Sequence, residues 1–356
     1  MEPIRTGYVG CGFIAQNVHL PNFASLPEIK LMALAEVRPQ LGQAVADHYH
    51  IPKVYSSHLA LAEDPEIEAV GVSAGFAQQG EMAADLLRAG KHVFMEKPMA
   101  ISVVQAERIL AAARDGKARL MVGYMKRYEP GNLLIRDTIR AWRTSGEKGR
   151  PLYARAHGFC GNWISGMDTS RIIKTDEPYP AAPSFDEQLP DWLPRERANS
   201  YVGYLQQYTH NINLLRFLLD TGDNVRVRAV DLDSDGMTGL VTLDLDGVRG
   251  VIESGSTAYH HWDEHTQVYF ERGWVHAFAP PLLANPSQSR VEIYEGGEQH
   301  RYTYPIAQPL TAWQYREEVR VFAQCLRSGD AFPSSAEDTL TDVRLYEAIY
   351  RAFLGL

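Results

Sequence analysis

The chain has 356 residues, 45% of them hydrophobic and 22% charged, ordinary values for a globular protein with room for two domains. Its formal net charge of −9 offers no counter-charge to nucleic acid or an anionic membrane, and no apolar run approaches a membrane span, so neither partner is expected. Cys11, Cys160 and Cys325 lie far apart without a CxxC pair, and the first strand starts too early to leave room for a signal peptide, so the expectation is a reduced, cytoplasmic protein.

The stretch Ile4 to Ala15, IRTGYVGCGFIA, is a β-prone run that ends at Val9 and passes into a GxGxxA turn. Gly10 permits the tight turn, Gly12 lets the backbone approach a pyrophosphate, and Ala15 lets the next helix pack close to the strand. The N–H groups around Phe13 and Ile14, at the positive end of that helix, would then face phosphates. The following strand, Lys30 to Ala35, runs into Glu36, where a ribose-binding acid is expected. Glu36 can accept both ribose hydroxyls of NAD and repel an extra 2′-phosphate. Arg38 could stack on the adenine or partly restore NADP binding, so NAD is favoured and NADP less so.

Strand and helix signals keep alternating. Asn17 to Leu26 and Arg38 to Tyr49 read as helices, Ala69 to Ser73 as a buried strand, and Glu81 to Ala89 as a helix stopped by Gly90. His92 to Met95 is a strand running into Glu96-Lys97-Pro98, Val103 to Ala113 a helix and Leu120 to Tyr124 a strand. Strands separated by helices imply parallel βαβ units, so residues 1–124 read as a doubly wound α/β Rossmann domain. Lys97 lies just beyond the carboxyl end of a strand, where open α/β sheets bind ligands.

The character then changes, and residues 125–356 read as an α+β domain for substrate binding and oligomerisation. Pro130 to Trp142 is helical and Leu152 to Phe159 a strand; Gly161 to Ser200, with five prolines, is irregular and long enough to serve as a substrate loop. Tyr201 to Leu219 is a helix. Strand signals follow in quick succession, at Val225 to Leu232, Gly239 to Leu245, Val248 to Ser254, Thr266 to Phe270, Trp274 to Phe278, Val291 to Tyr294 and His300 to Tyr304. Asp246-Gly247 and Arg272-Gly273 have hairpin-turn chemistry, so a large, open, mostly antiparallel meander is expected. Ala312 to Arg327 and Glu337 to Phe353 close the chain as helices. His260 to His265 invites a metal reading, but alternating side chains along a strand point to opposite faces, and no metal is expected there.

The glycine turn, Gly90-Lys91-His92-Val93 leading into Glu96-Lys97-Pro98, a helix bearing His210 and an open meander together resemble the Gfo/Idh/MocA family of oxidoreductases, over essentially the whole chain. The resemblance implies NAD-dependent hydride transfer to or from a secondary alcohol or ketone of a sugar, glycoside or cyclitol. It implies Lys97 as the active-site lysine, its proton affinity lowered by desolvation beside a cationic nicotinamide. Glu96 and Pro98 then shape the turn beside the cofactor. The family's Lys–Pro bond is often cis, which Pro98 would permit. His210 is the second catalytic residue, Lys126 and Tyr128 belong to a basic-aromatic turn that reaches substrate, and a homodimer or homotetramer is implied.

The chain departs from the family pattern twice. Gln206 and Asn213 stand where the helix of His210 usually carries acids. An amide can orient an imidazole or bond a substrate hydroxyl but cannot stabilise an imidazolium by charge, which shifts weight onto Lys97. In the loop from Ser73 to Gln79, bordering the cofactor, Gln79 takes the place of a histidine. Trp163, with Trp192, Trp262, Tyr204 and Tyr208, offers either core or a platform for a sugar's C–H face. Two other readings stay open: a tightly held NAD recycled during epimerisation or bond cleavage through a transient ketone, and a non-catalytic dinucleotide-binding regulator.

Overall fold

The computed structural model describes every residue except Met1, 165–168, 182–183 and 258–261, together with the side chains of Phe76 and Ala77. Two compact units emerge. The first is Met1–Gly123 with Asp168–Leu193 and Tyr315–Val343; the second is Tyr124–Met167, Pro194–Gln314 and Arg344–Leu356. No helix among the described residues is long and apolar enough to cross a membrane.

The first unit is built on six parallel strands: β1 (Ile4–Val9), β2 (Ile29–Ala35), β3 (Lys53–Tyr55), β4 (Ala69–Val72), β5 (His92–Glu96) and β6 (Leu120–Gly123). Their order is β3-β2-β1-β4-β5-β6, the doubly wound arrangement whose switch point lies between β1 and β4. All four residues of β4 and of β6 are buried, as expected of strands covered on both faces. The crossovers are α1 (Leu20–Ser25), α2 (Pro39–Tyr49), α3 (His58–Ala62), α4 (Phe76–Arg88) and α5 (Val103–Asp115). The chain enters α1 through a π-helical turn, Ala15–His19. The sequence reading missed β3 and α3, each too short to establish a period, and started α4 five residues late.

The second unit holds α6 (Pro130–Ser145), β7 (Pro151–Cys160), α7 (Ala198–Leu219) and seven further strands. These are β8 (Val225–Leu232), β9 (Gly239–Leu245), β10 (Val248–Ser256), β11 (Trp262–Phe270), β12 (Gly273–Phe278), β13 (Arg290–Glu295) and β14 (Arg301–Thr303). The sheet order is β14-β13-β12-β11-β7-β10-β9-β8. It is mostly antiparallel, but not a plain meander: β7 inserts between β11 and β10 and runs parallel to β10. Alternation along β7 sends Ala154, Ala156 and Cys160 inward and leaves Tyr153, Arg155, His157 and Phe159 on the other, half-exposed face. Helices α6 and α7 pack on one face of this sheet.

Two helices close the chain, α8 (Gln314–Ser328) and α9 (Ala336–Leu354). Most of α8 belongs to the first unit. There Phe322 meets Phe94 of β5 with ring centroids 5.7 Å apart, and the Ser334 hydroxyl donates to the Val122 carbonyl of β6 at 2.6 Å.

Candidate functional site

In the first unit the glycine turn follows β1. Gly10 has φ of +96°, and a Cβ there would lie 2.4 Å from the Ser73 carbonyl oxygen beyond β4. A Cβ on Gly12 would meet nothing within 4 Å, so this backbone faces open space at the switch point. Ala15 is fully buried, Phe13 and Ile14 partly exposed. The Tyr8 hydroxyl donates to Ser73 Oγ at 2.9 Å, tying the ends of β1 and β4 together. These residues fit a dinucleotide pyrophosphate, which needs a bare backbone and a helix start at this point.

Glu36 follows β2, with only a small fraction of its carboxylate exposed. It accepts from the Cys11 amide at 2.9 Å and from Arg38 Nε at 2.7 Å. The Arg38 guanidinium also lies 4.7 Å from the ring centre of Tyr179. Tyr179 belongs to a segment far along the chain that docks on this edge at two further points. The Gln16 amide accepts from Ile173 N–H at 2.8 Å and donates to the Ile173 carbonyl at 3.1 Å and that of Cys11 at 2.8 Å. Glu177 accepts from the Gln40 and Leu41 amides, at 3.0 and 2.8 Å, in the first turn of α2. Burial acts against ionisation of Glu177, but those amides, with Thr175 and Arg38, hold its carboxyl below the usual carboxylate range.

Lys97 lies at the carboxyl end of β5, partly exposed, and its bond to Pro98 is cis. Its backbone is held from several sides. The Lys97 N–H donates to Glu96 Oε2 at 3.1 Å, and Glu96 Oε1 pairs with His19 Nε2 at 2.7 Å. Gln79 is almost fully buried and donates to the carbonyls of Glu96 at 2.6 Å and Pro98 at 3.2 Å, one residue either side of Lys97. The residue that departs from the family pattern is therefore the clamp on the lysine turn. Beneath it, Glu318 of α8 is fully buried, and one ligand-type atom each of His19, Glu96 and Glu318 lies within 4.8 Å of the others. Burial first, then the charge of Glu96, raises the Glu318 carboxyl well above the ordinary range. Sequence reasoning missed His19, Gln16, Glu177 and Glu318. The one available signal was an acid on the apolar stripe of α8 formed by Tyr315, Val319 and Phe322.

In the second unit, α7 carries both His210, buried, and Gln206, exposed one turn earlier. The ring of Tyr124 meets His210 edge-on at 6.5 Å, and its hydroxyl bonds Thr209 Oγ1 at 2.8 Å. Asn213 accepts from Arg127 Nε at 2.7 Å, so this amide fixes the basic-aromatic turn to α7. Lys126 is buried and paired with Glu264 at 2.5 Å, and Glu264 also accepts from Trp262 Nε1 at 3.0 Å. Tyr128 is buried and Trp163 exposed. Tyr204 and Tyr208 are fully buried core residues.

His260 and His261 of the proposed metal stretch lie outside the described residues. Asp263 and His265, two apart on β11, share a face and meet His157 of β7 across the strands, an approach that single-strand spacing does not reveal. The His157 and His265 rings are stacked, with centroids 4.6 Å apart.

Residues 4–124 match the Gfo/Idh/MocA family, described as an oxidoreductase family with an NAD-binding Rossmann fold. A dTDP-3,4-didehydro-2,6-dideoxy-alpha-D-glucose 3-reductase of Actinomadura kijaniata is 32% identical over 348 residues, covering 98% of this chain and 95% of that one. An inositol 2-dehydrogenase of Salmonella typhimurium is 28% identical over 173 residues, 48% of this chain and half the length of that relative. Among solved structures, a 3-ketoreductase from Actinomadura kijaniata in complex with NADP superposes with a TM-score of 0.72. It is 22% identical by structural alignment, covering 98% of this chain and 97% of that one.

Proposed function

We propose that this chain, which belongs to the Gfo/Idh/MocA oxidoreductases, uses NAD to oxidise a secondary alcohol of a sugar, glycoside or cyclitol, or to reduce the corresponding ketone. The observation that carries the reading is the Lys97 turn, fixed by Glu96 and Gln79 at the carboxyl end of β5, on the same sheet edge as the glycine turn. The substrate class rests on the relatives, which act on a nucleotide-linked keto sugar and on inositol.

The nicotinamide, when bound, takes up or gives back the hydride. Lys97 takes the hydroxyl proton during oxidation and returns it during reduction, the work of a positioned general base and acid. Gln79 and Glu96 hold its backbone, so little orientation entropy is left to lose when the substrate binds. His210 is the second catalytic residue, and Gln206, one turn earlier on α7, lends orientation without charge. Lys126, already paired with Glu264, contributes to substrate binding through the turn it braces, beside Tyr128, and Trp163 offers a sugar-facing ring. Phe13, Ile14 and Ser73 line the dinucleotide path with Gly10, Gly12 and Ala15. Residues 125–356 supply most of the substrate-binding and subunit-contact surface, and the protein works as a cytoplasmic homodimer or homotetramer.

NAD should bind at least ten-fold more tightly than NADP, because Glu36 takes the space and polarity that a 2′-phosphate needs. Titration of the apoprotein with both checks this; equal affinities would assign the choice to Arg38. Adding NAD and a panel of polyols, sugars and nucleotide-linked sugars should give NADH in proportion to product. Product without free NADH would mean a recycled cofactor, and neither across the panel would leave the regulator reading.

A further inference from the structure

Helix α2 is poorly provided for at its start. Its N-cap residue Arg38 makes no side-chain cap, Pro39 occupies the first turn and no acid follows it there. The first-turn amides of Gln40 and Leu41, at the positive end of the helix dipole, are met instead by Glu177, from a segment that lies beyond the six-stranded sheet in the sequence. The same turn holds Glu36, whose place after β2 is that of the acid that binds the ribose 2′-hydroxyl. A phosphate on that hydroxyl would project toward the stretch from Arg38 to Leu41. Two groups there could receive it: the Arg38 guanidinium and the α2 amides. Both are engaged. Arg38 is paired with Glu36 and lies on Tyr179, and the amides hold a carboxylate.

We propose that Glu177 is a cofactor-selectivity residue: it acts as a built-in anion that occupies the helix end a 2′-phosphate would use, so that the segment Thr175 to Tyr179 excludes NADP. This rests on the dinucleotide reading above and extends it to residues outside the glycine turn and β2. A 2′-phosphate entering this corner would face Glu36 and Glu177 with only Arg38 to offset them. NAD, with a neutral hydroxyl, does not. The segment also rests on Ile173, whose backbone closes a two-way pair with Gln16, so Glu177 is presented by a docked strap.

The test is a charge series at one position, with binding as the readout. Wild type, Glu177→Gln and Glu177→Lys are titrated with NAD, NADP, 5′-ADP and 2′,5′-ADP by calorimetry, with thermal melts to verify folding. The ratio of NADP to NAD dissociation constants should fall at least five-fold in Glu177→Gln and further in Glu177→Lys, and the two ADP isomers should follow the same order. Should Glu177→Lys fail to fold, Glu177→Gln, which can still accept from the α2 amides, carries the comparison alone. An unchanged ratio overturns the assignment while leaving the dinucleotide site intact. An equal loss of affinity for both dinucleotides would make the strap merely structural and overturns it too. If wild type binds neither dinucleotide, the site reading falls, and this inference with it.

Discussion

At the scale of single residues, the proposed chemistry rests on one lysine whose neighbouring backbone is held by Glu96 and Gln79. Lys97→Met should leave NAD affinity within a few-fold and lower turnover by roughly 10² or more, the usual scale for a positioned proton-transfer group. His210→Ala should cost less, since Gln206 cannot charge-stabilise an imidazolium. Steady-state kinetics beside NAD titration decide it; a greater loss from His210→Ala would reverse the roles. Lys97 and Glu36 were legible because each sits at a fixed distance from a strand end within a local motif. Gln79 was legible as an oddity but not as a clamp, because its acceptors, the Glu96 and Pro98 carbonyls, are backbone atoms that carry no sequence signature. Glu177 was not legible at all, and Glu318 only as an acid on the apolar stripe of α8. Each acts on residues more than a hundred positions away, and no periodicity encodes such a meeting.

At the scale of elements, the first sheet apart from β3 followed from alternating periods, whereas the place of β7 did not. A strand separated from its neighbours by a long irregular stretch and a helix has no local cue that it will insert between β11 and β10. That insertion sets His157 beside His265, and β12 adds His276, whose Nε2 lies 3.0 Å from His265 Nδ1. Burial, then the charges of His265, Arg155 and Arg290, lower His276 from an ordinary value of 6.5 to about 3. His265 is lowered for a related reason, whereas the Glu253 hydrogen bond raises His157. The unfolded chain therefore takes up protons below about pH 6.5 that folded His276 refuses. Its stabilising effect is complete above that pH and is lost as the pH falls toward 3, while that of His157 is complete below it and is lost as the pH rises. In His276→Phe the fall of unfolding free energy with acidification should be shallower by up to about 1.4 kcal/mol per pH unit. Denaturant melts from pH 7 to pH 4.5 measure it, and parallel slopes would exonerate His276.

At the scale of the whole molecule, one face of the eight-stranded sheet carries Tyr153, His157, Phe159, Trp274, Tyr294 and Tyr302, with ring-to-ring contacts running across β12, β13 and β14. The helices α6 and α7 pack on the other face. An aromatic surface of this kind supports the homo-oligomer proposed above. Sedimentation at micromolar concentration should show a dimer or tetramer, and Trp274→Glu should shift it toward monomer without lowering NAD affinity. A wild-type monomer would overturn the oligomer.

The first unit is not one stretch of chain. Its core pairs Phe94 with Phe322 and sets His19 against Tyr315, residues from opposite ends of the sequence. During synthesis the six parallel strands emerge first, yet α8, which covers β5 and buries Glu318, leaves the ribosome only after most of the second unit. For that interval the nascent sheet exposes the aromatic surface that α8 will later seal, and such surface binds other chains as readily as its own. The unit that binds the nucleotide is thus the first begun and among the last completed. A cut after Gly123 would leave β5 without the helix whose Phe322 meets Phe94.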